Sequence, residues 1–173
     1  MVSNIVVLSL NRQVSKLVAE MLSEQLEMHM VDTIDLFEFD NIPRSFSDVL
    51  ALNGERYFRE KEKGQCKYVS GFENTIIHAE SGIVLKSENI KTFKKNCLAI
   101  YLHYPLSAIK AILKKQTYET KELKKFFNIN ESRILRRIEL LRKSSNIIVS
   151  GTGKSALRLT SEALRAIDKY YFK

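Results

Sequence analysis

The stretch "SNIIVSGTGKSALRLT" (residues 145–160) decides how the last third of the chain is read. Its Gly-Thr-Gly-Lys-Ser core has the ending of a phosphate-gripping loop, in which glycine amides cradle phosphates and a lysine bridges them. A loop of the form G-x-x-x-x-G-K-S ending at Lys154 needs glycine at position 148, where the chain carries Ile148. After Ser155 the run "ALRLT" has strand character, whereas a phosphate loop opens a helix to present its amides. The glycines suit instead the tight reversal of a two-stranded ribbon, with Gly151 and Gly153 free to take positive φ. On that reading "NIIVS" and "ALRLT" are the strands of the ribbon.

Upstream of the ribbon, three segments have helical periodicity: "LSAIKAILKK" (106–115), "ETKELKKFF" (119–127) and "ESRILRRIELLRKSS" (131–145). The last two are separated by the turn "NINE", with Asn130 placed to cap the third helix and Glu131 in its first turn. Ile134, Ile138 and Leu141 share one face of that helix, and "SEALRAIDKYYF" supplies a closing helix. This order resembles a winged helix-turn-helix domain. Charge agrees: residues 117–173 carry 13 Lys and Arg against 6 Asp and Glu, while the preceding 116 residues carry 15 against 14. A basic third suits a polyanion such as double-stranded DNA. The resemblance implies a recognition helix presenting Ser132, Arg133, Arg136 and Arg137 to the groove, with Lys121 and Lys124 toward the backbone. Lys154 and Arg158 in the ribbon would reach phosphates.

The N-terminal part alternates. "NIVVLSL" (4–10) is a short β-branched run of the kind buried on both faces. Val14, Leu17, Val18, Met21, Leu22 and Leu26 then recur at helical spacing. "MHMVDT", "TIIHA" and "CLAIYLH" read as further strands, and residues 46–69 and 87–96 as helices. Alternating units of this kind pack as a parallel sheet covered by helices. No apolar run approaches bilayer length, and the start has no signal-peptide pattern, so a cytoplasmic protein without membrane contact is expected. Cys66 and Cys97 form no CxxC pair and are expected as reduced, structural thiols.

The middle of this region resembles shikimate kinase. The resemblance rests on Gly54, Glu55, Phe58, Arg59 and Glu62, then on Gly82, Ile83, Val84, Leu85, Tyr101 and Leu102, and extends over roughly residues 1–104. It implies a phosphate-loop kinase fold, with Asp32, Arg59 and Gly82 as ligand-binding residues for a small acidic ligand. Several positions depart from the family. "SLNRQVSKL" (9–17) stands where the glycine-rich phosphate loop should be and contains no glycine; the lysine position falls on Ser15 and the hydroxyl position on Lys16, and a one-residue slip would restore Lys16 but with Leu17 behind it. The second acid of the Asp-x-Asp pair is Ile34, and a Gly-Gly-Gly substrate turn has become Glu80-Ser81-Gly82. The family's lid and later arginines, expected after His103, are absent, and the chain moves straight into the winged domain.

Taken together, these features lead to an α/β, parallel-sheet kinase-like domain over residues 1–104 and a winged helix-turn-helix domain over 105–173. The expected function is DNA-binding transcription regulation by a homodimer whose kinase-like part has no catalytic role and no cofactor. An atypical ATP-dependent small-molecule kinase of the shikimate kinase type is the alternative. A receiver-type regulator would need an acidic pair after the first strand, where "SLNRQ" stands.

Overall fold

A computed structural model describes residues 4–127 and 129–172. Five strands, β1 (Asn4–Ser9), β2 (His29–Asp32), β3 (Thr75–Ala79), β4 (Cys97–His103) and β5 (Ile147–Ser150), form one sheet in the order β2-β3-β1-β4-β5. Every pairing is parallel. Residues of β1 and β3 are buried along their whole length, which is why their apolar residues, Ile5 to Leu8 and Ile76 to Ile77, are consecutive rather than alternating. The helices that cover them are α1 (Arg12–Leu26), α2 (Thr33–Asp40), α3 (Phe46–Val69), α4 (Ser87–Asn96), α5 (Leu106–Lys115), α6 (Lys121–Phe127), α7 (Glu131–Ser144) and α8 (Ala156–Tyr171). A 3-10 turn, η1 (Ser81–Leu85), follows β3.

The strands and helices expected over residues 4–115 form, and α7 begins where Asn130 was placed as its cap, accepting from the Arg133 amide at 3.0 Å. The "NINE" turn falls partly outside the described residues, because Asn128 is not among them. Within α3, Gly54 takes φ 75°, which kinks the helix at the glycine of the family-like segment.

The winged helix-turn-helix domain does not form. "NIIVS" does become a strand, but its partner is β4, with Ile100 opposite Ile147 and His103 opposite Ser150. Asn146 fastens the start of that pairing: its amide donates to the Ala99 carbonyl at 2.8 Å and its Oδ1 accepts from the Ala99 amide at 2.9 Å. "ALRLT" is the first turn of α8, not a second ribbon strand. Ser155 caps it, and the residues that α8 buries, Leu159, Thr160, Ala163 and Ile167, keep helical spacing. Five residues of mixed polarity cannot distinguish a period of 2 from one of 3.6; the longer window can. Gly153 does take positive φ, at 69°. Gly151 is needed for a different reason, since a Cβ there would run into the Tyr104 ring.

The last third is therefore built into the same structure as the first. Ile109, Ile134, Leu141, Val149 and Leu159 belong to one apolar cluster with Val6, Ile76 and Leu98, and α8 packs on α1. Cys66 and Cys97 are free, buried thiols, both raised by burial, Cys97 to about 12. Among the described residues no helix is long and apolar enough to cross a membrane.

Candidate active site

In an open parallel sheet, ligands bind beyond the carboxyl ends of the strands, where the strand order reverses. Here the reversal lies between β1 and β3, so Ser9 to Arg12, Asp32 and Glu80 to Gly82 meet at one edge.

Only Leu10 and Asn11 connect β1 to α1. Asn11 caps the helix, so Arg12, Gln13 and Val14 are helical where a glycine-rich turn would otherwise open a nest of amides. The Arg12 guanidinium forks onto Asp32, at 3.0 and 2.9 Å from its two oxygens. Asp32 also accepts from the amides of Ile34 and Asp35, capping α2, and lies 2.6 Å from His78 Nδ1. An ionised carboxylate only accepts, so the shorter contact assigns the proton to Nδ1, with Arg12 Nη1 also 3.1 Å from that nitrogen, and Nε2 faces the Ser15 hydroxyl at 2.9 Å. Burial alone would raise the Asp32 pKa; the His78 hydrogen bond and the Arg12 charge overcome it and hold the carboxyl well below its usual range. Burial also lowers the His78 pKa, which keeps the ring neutral. Lys16 reaches Asp35 at 2.7 Å and Asp32 at 3.8 Å. A cleft of about 550 Å³ opens beside this cluster, lined by Arg12, Gln13, Lys16, Gln116, Tyr118 and Phe127, among others.

The second cluster gathers on η1. The Glu80 carboxylate accepts from Arg59 Nη1 at 2.9 Å, Arg137 Nη1 at 3.1 Å, the Ser81 hydroxyl at 2.8 Å and the Gly82 amide at 2.6 Å. Arg59 also binds Glu62 at 2.8 Å. Gly82 has to be glycine, because a Cβ would sit 2.6 Å from both Arg59 Cζ and Glu80 Oε2. Burial pushes Glu80 up, but Arg137 and Arg59 outweigh it and bring the carboxyl down to about 2. Glu62 has less compensation: burial raises it to about 7 against the pull of Arg59. Arg59 lies over the Phe126 ring, 4.8 Å from its centroid, and Phe126 in turn stands edge-on to Phe46 and Phe58. Alongside runs a cleft of about 520 Å³, lined by Arg56, Lys86, Arg133, Arg136, Glu55 and Glu60 together with Arg59 and Arg137.

The residues singled out for DNA separate accordingly. Arg137 is buried against Glu80 rather than exposed on a recognition helix, while Arg133 and Arg136 border the basic cleft. Ser132 donates to Asn130, which belongs to the α7 cap. Lys121 lines a further cleft against α3, and Lys124 is exposed on α6. Lys154 and Arg158 both pair with Glu162 of α8, at 2.6 and 3.4 Å. Of the residues marked for a ligand, Arg59 and Gly82 share the η1 cluster, whereas Asp32 belongs to the Arg12 cluster. Arg12 was not recognised in the sequence, because its role depends on a helix beginning where the family has a loop. Arg137, which the helical pattern alone placed toward solvent, joins the η1 cluster instead.

The shikimate kinase family profile matches residues 16–168. The chain belongs to the shikimate kinase family. The shikimate kinase of Clostridium botulinum (strain ATCC 19397 / Type A) is 28% identical over 159 residues, spanning 89% of this chain and 91% of that protein. That of Alkaliphilus oremlandii is 30% identical over 142 residues, 78% of this chain and 83% of that one. Among solved structures, the shikimate kinase from Acinetobacter baumannii in complex with shikimate superposes with a TM-score of 0.82 at 16% identity, covering 100% and 97% of the two chains. The Aquifex aeolicus enzyme gives 0.78 at 20% identity, covering 97% and 98%.

Shikimate kinase likeness thus runs through the segment expected to be a separate DNA-binding domain. Both the regulator reading and the expectation of a chain without enzymatic activity are overturned by a match to a kinase family over nearly the whole length. The phosphate-loop class also uses a magnesium ion beside the nucleotide, held partly by a loop hydroxyl. The residues present do not fit a protein-held ion of that kind. The hydroxyl position is Lys16, or Leu17 with a one-residue slip, and neither carries a hydroxyl; the Asp32 oxygens are taken up by Arg12, His78 and the α2 amides, and the described residues hold no metal-binding group of three acids, His or Cys.

Proposed function

We propose that the chain is a small-molecule kinase of the shikimate kinase type, transferring a phosphoryl group from a nucleoside triphosphate to a hydroxyl of a small polyol. The family match over residues 16–168 carries this reading. The two clefts at the switch point support it in detail. Beside α1, Arg12 and Lys16 offer positive charge, and the helix N-terminus adds its dipole, where donor phosphates would approach. Beside η1, the alternating charges of Arg56, Glu60, Lys86 and Glu55 offer donors and acceptors suited to hydroxyl groups. On α6, Phe127 lines the first cleft, and Phe126 packs on Arg59, which lines the second.

The test is to incubate the purified full-length chain with ATP or GTP and a panel of small polyols that includes shikimate and its methyl ester, following nucleoside diphosphate release and the phosphorylated product by ³¹P NMR. Nucleotide-dependent product with at least one polyol is expected. Absence of nucleotide binding at millimolar concentration, with no product from any member, would sink the reading.

A further inference from the structure

The η1 cluster has the construction of an anion receptor whose occupant is part of the chain. Each oxygen of Glu80 is satisfied twice, Oε1 by Arg137 Nη1 and the Ser81 hydroxyl, Oε2 by Arg59 Nη1 and the Gly82 amide. Two fixed guanidiniums, a hydroxyl and a backbone amide converging on one point are what a small carboxylate requires. The site is dry: Glu80 is 3% exposed, Arg137 3% and Arg59 6%. Both arginines are already paired, Arg137 with Glu80 and Arg59 with Glu80, Glu62 and Glu55. A carboxylate arriving from solution would have to evict Glu80 or add an unpaired negative charge to a buried site, and either is opposed by desolvation. The cradle opens on the same basic cleft that Arg133 and Arg136 border.

We infer that Glu80 is a specificity-determining residue: its side chain supplies the carboxylate for the Arg59–Arg137–Gly82 cradle, so the acceptor molecule of this chain is a neutral polyol. This rests on the kinase reading for the word acceptor, but the cradle itself is tested by binding alone. Glu80 takes up the Nη1 donors of both arginines and the Gly82 amide, the groups that converge on one point.

The experiment compares the full-length wild-type chain with Glu80→Ala and Glu80→Gln. Thermal midpoints are measured in sodium acetate against sodium chloride at equal ionic strength, and affinities for shikimate and its methyl ester by calorimetry. The wild-type midpoint should be the same in both salts, with the ester bound at least as tightly as the acid. In Glu80→Ala the vacated cradle should accept acetate, raising the midpoint, and should bind shikimate at least tenfold more tightly than wild type does. Glu80→Gln, which keeps the cradle filled, should gain neither property. Wild type responding to acetate as strongly as the alanine variant, or an alanine variant indifferent to acetate, overturns the inference. Should Glu80→Ala fold in neither salt, the wild-type affinities decide: a preference for shikimate over its ester overturns it, and the reverse supports it. Loss of the kinase reading shows separately, as no phosphorylated product from any polyol.

Discussion

At Glu80 a single carboxylate organises two arginines from distant segments, and its protonation is therefore tied to folding. Its folded pKa, about 2, lies below the ordinary glutamate value of 4.5, so the stability it contributes is fully present above pH 4.5 and is lost as pH falls toward 2. Glu62 acts in the opposite sense. Its folded pKa is raised to about 7, so the folded state binds the extra proton between pH 4.5 and 7, and stability declines as pH rises through that window. Glu80→Gln should lower stability at neutral pH by about 3–5 kcal/mol, the usual cost of leaving a buried charge without its partner. Denaturant melts of both proteins across pH 2–7 should show that gap narrowing below pH 4.5; a gap constant down to pH 2 would mean Glu80 is not the ionised partner. The replacement of a glycine turn by Glu80-Ser81-Gly82 is legible in the sequence, but the arrival of Arg137 is not. A residue one step off the apolar face of α7 reads as exposed until η1 is seen to lie against that helix.

At the scale of elements, the boundary between β5 and α8 carries the correction. Ser155 accepts from the Arg158 amide and so satisfies one of the orphan donors that start a helix. Ser155→Ala should cost roughly 1 kcal/mol, typical of a lost N-cap, measured by chemical unfolding. No such penalty would follow if residues 156–160 were a strand. The expected elements upstream formed because their signals are local: continuous apolar runs for β1, β3 and β4, and threefold and fourfold spacing for α1 and α7. The phosphate-loop position is a subtler case. Absence of glycine in residues 9–17 was plain in the sequence, but that the chain instead begins α1 three residues before Ser15 and ties Arg12 to Asp32 required the helix to be placed beside β2.

Across the whole molecule, the sheet order explains why the chain cannot be divided after residue 104. β5 completes the edge beside β4, α8 rests on α1, and α7 closes over η1, so the last third buries surface belonging to the first. Thermal unfolding followed by far-ultraviolet circular dichroism and by tyrosine fluorescence should give one coincident transition, the 173-residue chain having seven Tyr and no Trp. Two separated transitions would restore the picture of independent domains. The sequence by itself determined the alternating β and α elements, the basic surplus of residues 117–173, the family resemblance around Gly54 to Glu62, and the absence of a glycine phosphate loop. Periodicity and composition act over a few residues, and these features are written at that range. Tertiary structure alone decided where β5 pairs, that the basic helix faces the active-site edge, and that Glu80 fills its own anion cradle. Those outcomes depend on which distant surface each segment buries, and the same helix–helix–strand–helix order serves a winged domain or the closing third of a kinase until that partner is known.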